Sequence, residues 1–125
     1  MTSIPILLVD DHRIVRESLA NLLAKQNDFQ VVGQAEDGRK ALRLAGELNP
    51  RVVVMDVGMA GMNGIDATRQ LLEIAPDVRV IGLSMHSERR FVEEMLRAGA
   101  VGYLLKDCAF EQLVLAIRTV AEGRF

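Results

Sequence analysis

Five polar residues stand directly after short apolar runs of this sequence, and their side chains are of types that could do chemistry together. They are Asp10, Asp11, Asp56, Ser84 and Lys106. Each apolar run is short enough to be a buried strand. Because ligands bind outside the carboxyl ends of the strands in an open α/β sheet, we expect all five side chains at one edge. The sequence therefore predicts an acidic pocket with one hydroxyl and one ammonium group.

The chemistry of these groups favours phosphoryl transfer. Carboxylates held close together repel, so near neutral pH they need a proton or a cation. Oxygen ligands with open positions suit Mg²⁺, and an aspartate carboxylate can be a nucleophile toward phosphorus. Lys106 can neutralise one phosphoryl oxygen and the Ser84 hydroxyl can donate to another. Together the residues predict a Mg²⁺-assisted phosphoryl acceptor.

Simpler interpretations exist for each residue alone. An Asp after a strand is often a helix N-cap, and this alone could explain Asp11. It explains Asp56 poorly, because no helix is predicted directly after it. A single serine or lysine after a strand, such as Ser84 or Lys106, is usually only solvated. The specific signal is their coincidence at one predicted edge.

Strand-like and helical segments alternate along the chain. Apolar, β-branched runs lie at about 4–9, 30–35, 51–55, 78–83 and 101–105. Helical spacing lies between them, at about 12–26, 38–48, 64–75, 87–98 and 109–122. In the first helix the predicted apolar face is Val15, Leu19, Leu22 and Leu23. Strict alternation predicts βαβ units and a parallel sheet, and the mixed second strand suits an edge.

Composition narrows the function classes. A chain of 125 residues that is half apolar suits one domain, and a net charge of −2 gives no electrostatic case for nucleic-acid binding. The single Cys108 cannot form an internal disulfide, and no apolar run reaches the length of a membrane span. We see no signal peptide and expect a cytoplasmic domain without a membrane partner.

The chain resembles the receiver domain of two-component response regulators over its whole length, 1–125. The matches are the five polar residues above and the loop 56–64, Asp-Val-Gly-Met-Ala-Gly-Met-Asn-Gly. The resemblance implies a flavodoxin-like (βα)5 fold, a doubly wound five-stranded parallel sheet in order 2-1-3-4-5. It implies that Asp56 accepts phosphate from a sensor histidine kinase. It also implies Mg²⁺ held by Asp10, Asp11, Asp56 and the backbone carbonyl of Gly58, with Asp11 the expected direct ligand of the first pair.

Within that family the chain looks most like receivers followed by a C-terminal LuxR/NarL-type helix-turn-helix domain. The segments 83–86, 98–107 and 121–125 carry this likeness. We therefore expect a phosphorylation-activated switch, not a turnover enzyme, that controls transcription through an effector domain missing here. DNA would be bound only by that domain. Ser84 and Tyr103 are the expected switch residues, and phosphorylation is expected to favour a homodimer.

Two residues depart from the family pattern. Ala60 stands where proline is usual, which should loosen the loop. Gly58 stands where a larger residue is common, although the carbonyl needed for metal is retained.

Specific residues argue against other classes of protein. The segment 82–86, Gly-Leu-Ser-Met-His, superficially resembles a hydrolase nucleophile elbow, but its last glycine is replaced by His86. A flavodoxin-like electron carrier shares the fold, yet Asp10 and Asp11 would repel its phosphate. A degenerate receiver is disfavoured by the intact polar set. His12 is expected to lie at the surface, and Cys108 to be an unreactive, partly buried thiol.

Overall fold

The computed structural model of the chain describes residues 3–59, 63–85 and 89–123. Its strands are β1 (Ile4–Val9), β2 (Phe29–Ala35), β3 (Val52–Asp56), β4 (Arg79–Ser84) and β5 (Gly102–Leu105). Its helices are α1 (Arg13–Ala24), α2 (Gly38–Leu48), α3 (Gly64–Ile74), α4 (Arg89–Ala98) and α5 (Phe110–Ala121). All strand pairs are parallel and the sheet order is β2-β1-β3-β4-β5, so the predicted fold class and order are confirmed.

The central strands are buried on both faces because helices cover both sides of the sheet. In β1, Leu7 and Val9 belong to the core beneath α2, α3 and α4, whereas Ile6 and Leu8 belong to the core beneath α1 and α5. A strand covered on both faces needs apolar residues at every position, which explains the uninterrupted apolar runs. Among the described residues no helix is long and apolar enough to cross a membrane.

The two edge strands differ from the central ones. In β2 the ladder to β1 shifts between Ile6 and Leu7, whose partners are Val31 and Gly33, so one residue of β2 is skipped. The short β5 is apolar in sequence, yet each of its residues is only partly buried. Because β5 lies at the edge of the sheet, its side chains are less completely covered than those of the central strands.

The predicted apolar face of α1 is only partly correct. Leu23 and Ala20 are buried against the sheet, whereas Val15 and Leu22 are exposed. Adjacent apolar residues on a helix diverge by about 100°, so Leu22 and Leu23 cannot both face one sheet. By contrast, Leu113 and Ile117 of α5 lie in the core.

The start of α3 lies against the backbone that carries Asp56. A Cβ atom placed on Gly64 would lie 2.1 Å from the Asp56 carbonyl oxygen and 2.7 Å from Cα of Val57. The Gly64 N–H also donates to the Val57 carbonyl oxygen at 3.1 Å. Glycine is therefore required at position 64 by close approach of two backbone segments. Asn63 caps the helix by accepting from the Asp66 N–H at 2.9 Å.

We predict that Gly64→Ala destabilises the protein by about 2–3 kcal/mol, because the added methyl group can be accommodated only by moving backbone. Gly46→Ala is the matched control, since a Cβ there meets no atom within 4 Å and alanine favours the interior of α2. The control should be neutral or stabilising by about 0.5–1 kcal/mol. Urea denaturation measures both. Equal stability of Gly64→Ala and the parent protein would contradict the close approach.

Candidate functional site

The carboxyl ends of four strands bring the predicted polar residues to one edge of the sheet. Asp10 follows β1, Asp56 ends β3, Ser84 ends β4 and Lys106 follows β5. The strand register aligns these positions: Val9 pairs with Met55, Asp56 with Leu83 and Ser84 with Leu105. The register of the sheet therefore brings these polar residues together, and no long loop is needed to do so.

Asp10 is a buried carboxylate held by the backbone around it. Its residue exposure is 4%. Its Oδ1 accepts the His12 N–H at 2.8 Å, and its carbonyl oxygen accepts from the Arg16 guanidinium at 2.8 Å. Arg16 also donates to Oε1 of Gln34 at 3.1 Å, so one side chain ties α1 to β1 and β2. Arg16 was not among the predicted site residues. The sequence contained one signal for Arg16, because it lies four residues after His12 and hence on the same face of the helix. Side chains on a helix tilt toward its N-terminus, which directs both residues toward Asp10.

Asp56 is the second buried carboxylate, with an exposure of 3%. Its Oδ1 accepts the Gly58 N–H at 3.1 Å. Burial, followed by the neighbouring Asp10 carboxylate, raises the pKa of Asp56 to about 6, whereas Lys106 and the Gly58 N–H act in the opposite direction. The ionised carboxylate is therefore incompletely compensated by the protein's own groups.

Lys106 is the cation between the two carboxylates. Its Nζ lies 3.0 Å from Oδ2 of Asp10 and 3.4 Å from Oδ2 of Asp56, and its side chain is 13% exposed. Both Oδ2 atoms are buried, and their contact with Lys106 is an ion pair rather than a hydrogen bond. One ammonium group therefore faces two carboxylates whose Oδ2 atoms can still accept a hydrogen bond or bind a cation.

Asp11 and His12 complete the acidic cluster at its solvent side. Helix α1 begins at Arg13 with His12 at the N-cap position and no side-chain capping bond, so capping does not explain Asp11. Oδ1 of Asp11 instead lies 3.2 Å from Nδ1 of His12. Carboxylate or imidazole atoms of Asp10, Asp11, His12 and Asp56 all lie within 4.8 Å of one another. The exposed location predicted for His12 is correct, but its contact with the cluster was missed.

The remaining predicted residues lie where the sequence suggested, and their roles stay predictions. Ser84 is 1% exposed at the end of β4, and Gly58 is exposed beside Asp56. Tyr103 is partly buried in β5, and its ring lies 3.1 Å from the position of a Cβ on Gly82. Ala60 and His86 lie outside the described residues.

Cys108 is partly buried, and desolvation followed by the Asp107 charge raises the pKa of its thiol. A raised pKa leaves less thiolate near neutral pH, as predicted for an unreactive cysteine.

The family described as "Response regulator receiver domain" has a model that matches residues 6–118. The chain therefore belongs to the response regulator receiver family. Membership in this family, rather than the shared fold, favours the receiver interpretation over the hydrolase and electron-carrier alternatives.

Relatives with known names include regulators of transcription. The chain is 46% identical over 121 residues to the response regulator GacA of Pseudomonas protegens, covering 97% of this chain and 57% of the relative. It is 42% identical over 120 residues to the transcriptional regulatory protein DegU of Brevibacillus brevis, covering 96% and 51%. The chain thus spans about half the length of the curated relatives it matches.

Solved structures agree with this assignment. A two-component response regulator of the LuxR family from Aurantimonas superposes with a TM-score of 0.94 at 37% identity, covering 98% of this chain and 88% of that one. The response regulator domain of Thermotoga maritima CheB gives a TM-score of 0.87 at 34% identity, covering 96% and 97%. The predicted likeness to LuxR-type receivers is thereby confirmed.

We predict that Asp56→Asn stabilises the metal-free protein at about pH 7 by roughly 1–3 kcal/mol, since each unit of pKa shift corresponds to about 1.4 kcal/mol. The folded-state pKa of Asp56 is raised above 3.8 to about 6, so the folded protein binds the proton more tightly than the unfolded chain. The penalty is absent below about pH 4 and fully developed above about pH 6.

Urea denaturation in EDTA at about pH 4.5 and pH 7 tests the sign, with the exposed Asp77→Asn as the control. The stability of Asp56→Asn relative to the parent should rise with pH, and the same difference measured for Asp77→Asn is subtracted as the reference. A variant less stable than the parent at pH 7 would show that Asp56 is well compensated.

Proposed function

We propose that this domain accepts a phosphoryl group on Asp56 from a phosphohistidine of a sensor histidine kinase and passes the signal on by changing conformation. One observation carries the proposal. Asp10 and Asp56, at 4% and 3% exposure, share the single Lys106 ammonium at the carboxyl edge of a receiver-type sheet. Such a site is short of positive charge, and a cation together with a phosphoryl group would complete it.

The transfer moves one phosphoryl group between two side chains. A carboxylate oxygen of Asp56 attacks phosphorus, the P–N bond of the kinase phosphohistidine breaks, and the imidazole leaves with the bonding electron pair. With a pKa of about 6 Asp56 is mostly ionised near pH 7, so no separate base is needed to generate the nucleophile. The buried position excludes most water, which would otherwise compete with the carboxylate.

The residues present fit Mg²⁺. The fit rests on two buried carboxylate oxygens without hydrogen bonds and on a donor set made of hard oxygens. Asp10, Asp11, Asp56 and the carbonyl of Gly58 would hold the ion. When bound, Mg²⁺ supplies neutralisation of carboxylate and phosphoryl charge.

Lys106 and Ser84 would stabilise the phosphorylated state. Lys106 already lies 3.4 Å from Asp56, so its ammonium can neutralise a phosphoryl oxygen on that residue. The backbone N–H of Lys106 donates a hydrogen bond to the Ser84 carbonyl oxygen at 2.8 Å. This bond holds the ends of β4 and β5 side by side. The Ser84 hydroxyl is the donor proposed for a second phosphoryl oxygen.

We predict that incubation with a small phosphodonor and Mg²⁺ adds one phosphoryl group, about 80 Da, to the protein and none to Asp56→Asn. Asparagine keeps the shape but lacks the anionic nucleophile. Intact mass spectrometry measures the gain, and Asp77→Asn should be labelled like the parent. EDTA should abolish labelling. Undiminished labelling of Asp56→Asn would place the acceptor elsewhere, and labelling untouched by EDTA would contradict the role of the metal.

Phosphorylation is proposed to act on β4 and β5. A phosphoryl group adds about 1.5–2 negative charges at neutral pH. Drawing Ser84 toward that charge would move the end of β4. Tyr103 would respond because it pairs with Gly82 of β4, and its ring lies beside that glycine. Because Tyr103 is already partly buried, the two states would differ in how far its ring is inserted. Such a shift requires that the phosphoryl group bind one packing better than the other.

The output is proposed to be a homodimer that controls a transcriptional effector domain outside this chain. This chain covers about half the length of GacA and DegU, which are both named as regulators. The other half of each relative leaves room for an effector domain. Effector domains of the helix-turn-helix type read paired half-sites, which a dimer supplies.

We predict that Ser84→Ala separates phosphorylation from switching. The variant keeps Asp56, the metal ligands and Lys106, so labelling should persist, more slowly. The change in Tyr103 NMR signals and in light scattering on adding a phosphodonor or beryllofluoride should shrink strongly. Ser3→Ala, at the opposite edge of the sheet, should behave like the parent. Full switching of phosphorylated Ser84→Ala would refute coupling through this hydroxyl.

A further inference from the structure

His12 places an imidazole nitrogen at the mouth of the acidic cluster. Its Nδ1 lies 3.1 Å from Oδ1 of Asp10 and 3.2 Å from Oδ1 of Asp11. It also lies 3.4 Å from Nζ of Lys106. The ring is therefore part of the cluster although its side chain is 59% exposed and open to ions from solvent.

The spacing of these donors matches that of ligands around one small metal ion. Metal–ligand bonds of about 2.0–2.1 Å place neighbouring donors roughly 2.9–3.4 Å apart for octahedral to tetrahedral angles. The separations of 3.1 and 3.2 Å from Nδ1 to the two carboxylate oxygens fall in that range. Three donors from consecutive residues could thus bind one ion when Nδ1 of His12 presents its lone pair in place of its present hydrogen bond with Oδ1 of Asp10.

A second observation, on two carboxylate oxygens of the same cluster, also favours a cation. Oδ2 of Asp10 and Oδ2 of Asp56 are buried without a hydrogen bond, and the Lys106 ammonium lies 3.0 and 3.4 Å from them. The pocket therefore concentrates negative potential just behind the donors of Asp10, Asp11 and His12.

We propose that His12 makes this pocket a site for imidazole-favouring divalent ions of the Zn²⁺ class, which compete with Mg²⁺. Carboxylates alone suit Mg²⁺, whereas one added imidazole favours Zn²⁺ and its neighbours, because these ions bind nitrogen far better than Mg²⁺ does. The inference rests on the proposed function only in placing Mg²⁺ in the same pocket. Occupancy by Zn²⁺ then limits the amount of protein available to Mg²⁺ and hence to the phosphodonor.

The matched variant is His12→Asn. Asparagine can place an amide N–H near the position of Nδ1 and keep a hydrogen bond to Asp10, but it is a poor ligand for Zn²⁺. His86→Asn removes the other histidine of the chain and serves as the control. Zn²⁺ and Mg²⁺ affinities are measured separately by calorimetry on the whole chain. Imidazole ¹⁵N NMR of the unmodified protein reports directly on His12 as the metal is added.

We expect His12→Asn to lose at least about tenfold in Zn²⁺ affinity while its Mg²⁺ affinity changes less than about twofold. His86→Asn should match the parent, and Zn²⁺ should shift the Nδ1 resonance of His12. Unchanged Zn²⁺ affinity, an equal loss for both metals, or an unmoved Nδ1 resonance would overturn the proposal. Phosphoryl labelling of the parent protein with Mg²⁺ and a phosphodonor is measured as a separate experiment. Failure of that labelling would count against the proposed function and not against the Zn²⁺ site.

Discussion

Two buried carboxylates that share one ammonium group are the constraint on which the rest of this structure depends. Asp10 and Asp56 are held at adjacent strand ends, and Lys106 lies between their Oδ2 atoms. Burial, followed by the nearby Asp10 carboxylate, opposes ionisation of Asp56, which is why the pKa of Asp56 is raised to about 6. A fold that keeps such charges together must hold them rigidly, since otherwise they would separate into solvent.

The rigidity comes from the sheet and from a few backbone contacts behind it. Both faces of the central strands are covered by apolar cores, so the strand ends cannot tilt without breaking packing on two sides. Arg16 binds the carbonyl of Asp10, and Gly64 lets α3 lie against the carbonyl of Asp56. The part of the site open to solvent, at Asp11, His12 and Gly58, is the part where a metal or phosphodonor would enter.

Much of this arrangement was predictable because strands and their ends are local features of sequence. Apolar runs marked β1, β3 and β4, and parallel pairing then placed Asp10, Asp56 and Ser84 at one edge. The receiver resemblance added the strand order.

What could not be predicted depends on side-chain direction and close approach. Leu22 fits an apolar pattern but is exposed, because α1 turns Leu23 and Ala20 to the sheet. His12 was assigned to the surface, yet its ring meets two carboxylates, a contact set by how α1 begins. The need for glycine at position 64 follows from packing between segments and leaves no mark in the local pattern.

The most direct test of the central claim is a ¹³C NMR titration of the Asp56 carboxyl group, with and without Mg²⁺. Without metal the account predicts a pKa of about 6, raised by burial and by Asp10. With saturating Mg²⁺ the pKa should fall well below that value, because the cation favours the ionised form. A metal-free pKa near the ordinary aspartate value of 3.8, unmoved by Mg²⁺, would contradict the claim that this site is short of positive charge.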